Sequence, residues 1–68
     1  MKKISINTEM IKLDSFLKWC GAVSTGSEAK LYIKNGEVKV NGEIEERRGK
    51  KLKKGDIVEF KNEVYTIM

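Results

Sequence analysis

The spacing of apolar residues changes partway along this chain. Between Leu13 and Ile33 they recur three and four positions apart, and from Val38 onward they alternate with polar residues. The first spacing is one face of an α-helix, the second one face of a β-strand, and a segment patterned for one does not settle as the other. The chain must therefore fold as helices followed by strands, an α+β plan. At 68 residues it makes one domain, 1–68, with no proline, repeat or low-complexity tract to divide it. A core of that size is small, and each large apolar side chain is a sizeable share of it.

Lys3 to Asn7 alternates, with Ile4 and Ile6 on one side, and predicts a short first strand. Leu13, Phe16, Leu17 and Cys20 form the apolar stripe of a first helix, so Cys20 reads as a small buried hydrophobe. Gly21 follows and supplies the left-handed residue that ends a helix. Thr25-Gly26-Ser27-Glu28 fits a capping box, with Thr25 as N-cap and Glu28 reaching back to the freed N–H. Ala29, Leu31, Tyr32 and Ile33 are the candidates for the buried side of the second helix, which Asn35-Gly36 closes. So short a link requires the helices to pack as a pair. Beyond them Asn41-Gly42 is a two-residue hairpin signal between Val38–Val40 and Glu43-Ile44-Glu45. Lys54-Gly55-Asp56 turns the chain into Ile57-Val58-Glu59-Phe60, and Asn62-Glu63 turns it into a last strand, Val64–Ile67. The expectation is two short packed helices against a small antiparallel sheet.

What the chain lacks limits its chemistry. It has no histidine, the commonest general base and a frequent zinc ligand, and its one cysteine cannot close an internal disulfide. It has no Gly-Lys-Ser/Thr phosphate loop and no paired-carboxylate signature. No reaction, cofactor or metal site is expected. No apolar run approaches the roughly 20 residues that span a bilayer, and the start lacks a signal-peptide core, so a cytoplasmic address away from membranes is the default. A monomer is expected, with an exposed last strand as the one edge that could pair.

What it has in excess is positive charge: 14 Lys and Arg against 10 Asp and Glu, a net +4. Arg47-Arg48-Gly49-Lys50-Lys51-Leu52-Lys53-Lys54 is the densest stretch. Lys12 and Lys18 come from the first helix, Lys30 and Lys34 share a face of the second, and Lys39 lies beside the Asn41-Gly42 turn. Asp14 can pair with Lys18 four residues on, and Glu43, Glu45 and Glu46 can offset part of the run by cross-strand pairing. A solvated surface, an acidic protein partner, duplex DNA and folded RNA are all compatible with these charges. If about five cations engage a single strand's phosphates, affinity falls roughly a hundredfold for a fourfold rise in salt. Trp19 and Tyr32 can stack on bases, though partial packing on a small core is the simpler use of each.

Four segments in order carry a family resemblance: Ile11-Lys12-Leu13-Asp14-Ser15-Phe16-Leu17-Lys18, Thr25 to Ala29, Gly36-Glu37-Val38-Lys39-Val40-Asn41-Gly42 and Lys54-Gly55-Asp56. Together they resemble the S4 RNA-binding domain, or alpha-L motif. The leading strand, Glu45 to Lys51 and the short closing strand are similar to its stand-alone bacterial members of the YaaA/YbcJ type. The resemblance implies an alpha-L fold and a non-catalytic protein that binds structured RNA, ribosomal RNA in particular, on ribosomal particles during assembly or maturation. It implies a binding face made by the two helices and the adjoining loop. By motif position Lys12, Thr25, Lys30, Lys39 and Asn41 belong to that face; Lys34, Arg47, Arg48, Lys50 and Lys51 join them on charge. Gly26 departs from the family pattern, which often has arginine there. The helix N–H groups at that end can still meet a phosphate, and the Arg47–Lys54 run is the candidate replacement for the missing charge.

Overall fold

In the computed structural model, which describes residues 1–68, the chain runs β1 (Lys2–Ile4), β2 (Met10–Lys12), α1 (Leu13–Trp19), α2 (Gly26–Lys34), β3 (Val38–Val40), β4 (Glu43–Ile44), β5 (Lys51–Lys53), β6 (Ile57–Phe60) and β7 (Glu63–Ile67). Five strands form one sheet in the order β1-β7-β6-β3-β4, and β2 and β5 form a separate two-stranded ribbon. The expected antiparallel sheet is present in β3, β4, β6 and β7, but β1 joins it parallel to β7, so the sheet is mixed. The first strand is also shorter than Lys3–Asn7 and begins one residue earlier. Ile6 lies beyond it and still enters the core.

Both helices stop where glycine permits. The N–H of Gly21 donates to Lys18 O and that of Ala22 to Leu17 O; the same pair of bonds recurs from Gly36 to Ile33 O and from Glu37 to Tyr32 O. With Gly21 at φ +80° and Gly36 at φ +75°, both ends are Schellman motifs, which place a left-handed residue just past the last turn. Thr25 caps α2 as expected, its Oγ1 accepting from Glu28 N at 3.2 Å. Glu28 closes the box one residue further out than the usual pattern, accepting from Ser24 N rather than from Thr25 N.

Two hairpins hold the sheet in register. Asn41 (φ 52°) and Gly42 (φ 86°) form one turn, Lys61 (φ 50°) and Asn62 (φ 64°) the other. Positive φ at both central residues is the turn whose twist matches paired strands. The second turn sits one residue before the expected Asn62-Glu63, because Glu63 already pairs with Phe60.

The core lies between the helix pair and one face of the sheet. Leu13, Phe16 and Leu17 from α1 and Ala29 and Ile33 from α2 meet Val38, Val40, Val58, Phe60, Tyr65 and Ile67, with Leu52 arriving from the ribbon. Phe16 meets Tyr65 edge-on, with ring centroids 6.1 Å apart, and Tyr32 meets Phe60 similarly at 5.0 Å. Three side chains lie further out than expected. Cys20 is half-buried at the helix end, where burial still pushes its thiol above the ordinary value. Leu31 and Trp19 are exposed. No helix is long and apolar enough to cross a membrane.

Candidate nucleic-acid interface

The ribbon decides where the charge goes. β2 and β5 pair antiparallel, with Met10 opposite Lys53, Ile11 opposite Leu52 and Lys12 opposite Lys51. Strand alternation turns Leu52 inward, where it is fully buried, and sends Lys12 and Lys51 to the exposed side together. The loop before β5 is bound to the start of α1, with Leu13 N donating to Lys50 O at 2.8 Å and Asp14 N to Arg48 O at 3.1 Å. These carbonyls satisfy helix N–H groups that otherwise have no partner. One result is a capped helix without a side-chain cap; the other is that Lys12, Arg48, Lys50 and Lys51 project from adjacent backbone.

The same loop begins at the far end of α2. A β-carbon at Gly36 would stand 3.7 Å from Glu46 Oε2 and 3.7 Å from Ile44 Cγ2. The basic segment therefore passes from the end of α2 to the start of α1. Lys30 and Lys34 are exposed on α2, one turn apart.

The cations are not equally free. Arg47 is held by Glu45, with Nε–Oε2 at 2.9 Å and Nη2–Oε1 at 3.2 Å. That hydrogen bond holds the Glu45 carboxyl below its ordinary range, aided by the positive field of Lys50, and raises the Arg47 guanidinium further. This pairing is within the loop, two residues apart, and not the cross-strand contact expected of Glu43, Glu45 and Glu46. Lys53 pairs with Asp56 at 3.5 Å and Lys2 with Glu63 at 3.7 Å. Lys12, Arg48, Lys50 and Lys51 stand outside these ion pairs, as do Lys30 and Lys34. Asp14 does not pair with Lys18; its Oδ1 accepts from its neighbour Ser15 N at 2.7 Å.

Three of the residues singled out by sequence are placed differently. Lys39 pairs across the sheet with Glu59 and Ile44, on the face away from the buried valines on either side of it. The Thr25 hydroxyl is engaged as the α2 cap. Asn41 is committed internally: its Oδ1 accepts from Ile57 N at 2.9 Å and its Nδ2 donates to Asp56 Oδ1 at 3.2 Å. Asp56, which the sequence marked only as part of a turn, is the one buried charged residue, 7% exposed. Burial alone would push its carboxyl up, but hydrogen bonds from Lys53 N and Asn41, with the Lys53 ammonium nearby, outweigh it and hold the group below its ordinary value. At Gly26 a β-carbon would meet nothing within 4 Å, so the absence of a side chain there is not imposed by packing.

The S4 domain pattern matches residues 4–68. The chain belongs to the S4 domain family. This S4 domain is 49% identical over 57 residues, 84% of its own length and 80% of the relative's, to a probable ribosome maturation protein, RlbA, of Bacillus subtilis (strain 168). Its fold matches the solution structure of YbcJ from E. coli, described as an alpha-L motif involved in RNA binding, with a TM-score of 0.75 and 30% identity over 100% of this chain and 87% of that one. The 30S ribosomal protein S4e of Thermoplasma acidophilum shares the fold at a TM-score of 0.66 and 22% identity; the match covers 88% of this S4 domain and 32% of that chain.

Proposed function

We propose that this S4 domain binds structured RNA, ribosomal RNA in particular, as a monomer in the cytoplasm and contributes to ribosome maturation by binding alone, without a reaction of its own. The observation that carries the reading is the convergence of Lys12, Arg48, Lys50 and Lys51 where β2 runs into α1. Four cations outside ion pairs on adjacent backbone offer a phosphate array several contacts at once. Lys12 and Lys51 are directly opposed, an arrangement that is unfavourable until an anion sits between them. The cluster is positioned by the fold, and its lysines and arginine can meet phosphates without requiring a particular base sequence. Recognition of backbone and shape suits folded RNA, whose deep groove hides its base edges. The name of the Bacillus relative and the RNA-binding description of YbcJ support the same direction.

The test is a gel-shift titration against structured ribosomal RNA fragments at two salt concentrations, with matched duplex DNA as competitor. Binding at low salt that weakens steeply as salt rises is expected. No binding at low salt, binding indifferent to salt, or preference for the DNA would overturn the reading.

A further inference from the structure

The cationic cluster does not account for Trp19. This residue, the last of α1, is 54% exposed, an unusual position for the largest apolar side chain in a domain with so small a core. The ring is nevertheless fixed. Its Nε1 donates to Ser5 O at 2.8 Å, tying the end of α1 to the segment that follows β1. The indole therefore presents a face to solvent with its polar edge already bonded. It borders a shallow depression lined by Ile11, Ser15, Lys18 and Trp19. No carboxylate lines it, and Lys18 is its one charged lining residue. Ser15 on α1 and Ile11 on β2 extend it toward Leu13, the end of the helix at which the cationic cluster is anchored.

We propose that Trp19 is a stacking platform for one unpaired base of the bound RNA, with Lys18 meeting that nucleotide's phosphate. The inference rests on the RNA-binding reading and adds to it a preference that the cationic cluster alone would not create. A phosphate array holds paired and unpaired RNA alike, whereas an indole face can receive only a base that has left its stack. Stacking needs no particular base, because every base has a π-face. A ring already held by its hydrogen bond loses little freedom when a base arrives. The site thus selects a loop, bulge or frayed end lying beside a helix gripped through its phosphates.

The chain has a single tryptophan, so its intrinsic fluorescence reports this site alone. The full chain is titrated with an RNA hairpin carrying an unpaired uridine loop and with a fully paired duplex of the same length. The hairpin is expected to quench the emission and the duplex to leave it nearly unchanged while still binding in a gel shift. Trp19→Ala is expected to weaken the hairpin complex by roughly ten- to a hundredfold and the duplex complex by less than about twofold. Trp19→Phe, which keeps an aromatic face but loses the bond to Ser5, retains most of the affinity, and thermal melts of both variants separate binding from folding. Unchanged emission with a hairpin that binds, or an equal loss for both RNAs, would overturn the stacking site and leave this face to a protein partner. Failure of both RNAs to bind the wild-type chain would overturn the RNA-binding reading as well.

Discussion

Asn41 and Asp56 lie 15 positions apart and share a hydrogen bond of 3.2 Å that joins the β3–β4 hairpin to the turn before β6. Asn41 also accepts from Ile57 N, and Asp56 also accepts from Lys53 N. The two side chains form a bridge between turns, which gives each a structural reason to be present that is independent of RNA.

Replacing Asp56 with alanine should therefore destabilise the fold. It leaves the Asn41 amide and the Lys53 N–H without their acceptor at a buried site, at a cost of about 2–3 kcal/mol. A domain of this size is stable by only roughly 3–10 kcal/mol, so the urea midpoint should fall markedly. Asn41→Ala should act in the same direction, with added strain from its positive φ. At temperatures where that variant remains folded, its RNA affinity should match wild type. A loss of affinity without a loss of stability would instead make Asn41 an RNA-binding residue.

The same carboxylate makes the fold sensitive to acid. Asp56 has a folded-state pKa below its unfolded one, which is near 4. Its contribution is thus fully present above about pH 4 and is lost as the pH falls through the lowered native value. Stability measured by urea unfolding should vary little with this group from neutral pH down to about 5 and drop below about 4. Asp56→Asn should flatten that drop.

Charge removal should separate the free cations from the occupied one. Neutralising Lys12, Arg48, Lys50 or Lys51 singly should weaken RNA binding across sequences and make the salt slope shallower by roughly 0.7–0.9 for each phosphate that no longer meets a cation. Arg47→Ala should cost less, because its guanidinium is already bound by Glu45. Titrations at several salt concentrations check both.

Thr25→Ala should lower stability by about 1 kcal/mol through loss of the α2 cap. Thermal unfolding followed by circular dichroism measures it, and binding compared below the midpoint shows whether the hydroxyl has any further role.

Much of this architecture was written in local pattern. The 13-16-17 stripe, the glycines at 21 and 36 and the Asn41-Gly42 turn each act within a few residues, and each formed where its chemistry placed it. The ribbon was not legible. Met10–Lys12 and Lys51–Lys53 have three residues each and partners some forty positions distant, and the second is hidden inside a run that reads as a charged loop. Without the ribbon, nothing in the sequence brings Lys12 beside Lys51 or separates Lys39 from them. Arg47 and Arg48 likewise read as equivalent neighbours, although a short turn gives one of them to Glu45. Trp19 offered a clue, since it lies off the apolar stripe of its own helix.

The opposition of Lys12 and Lys51 across the ribbon has a thermodynamic consequence. The unliganded domain carries a small self-repulsion, of a few tenths of a kcal/mol, which dissolved ions relieve by screening. The same ions compete with RNA for the same ammonium groups. Raising the ionic strength should therefore make the empty protein slightly harder to unfold while loosening its hold on its ligand. A polyanion, by contrast, should raise the melting temperature most in dilute buffer.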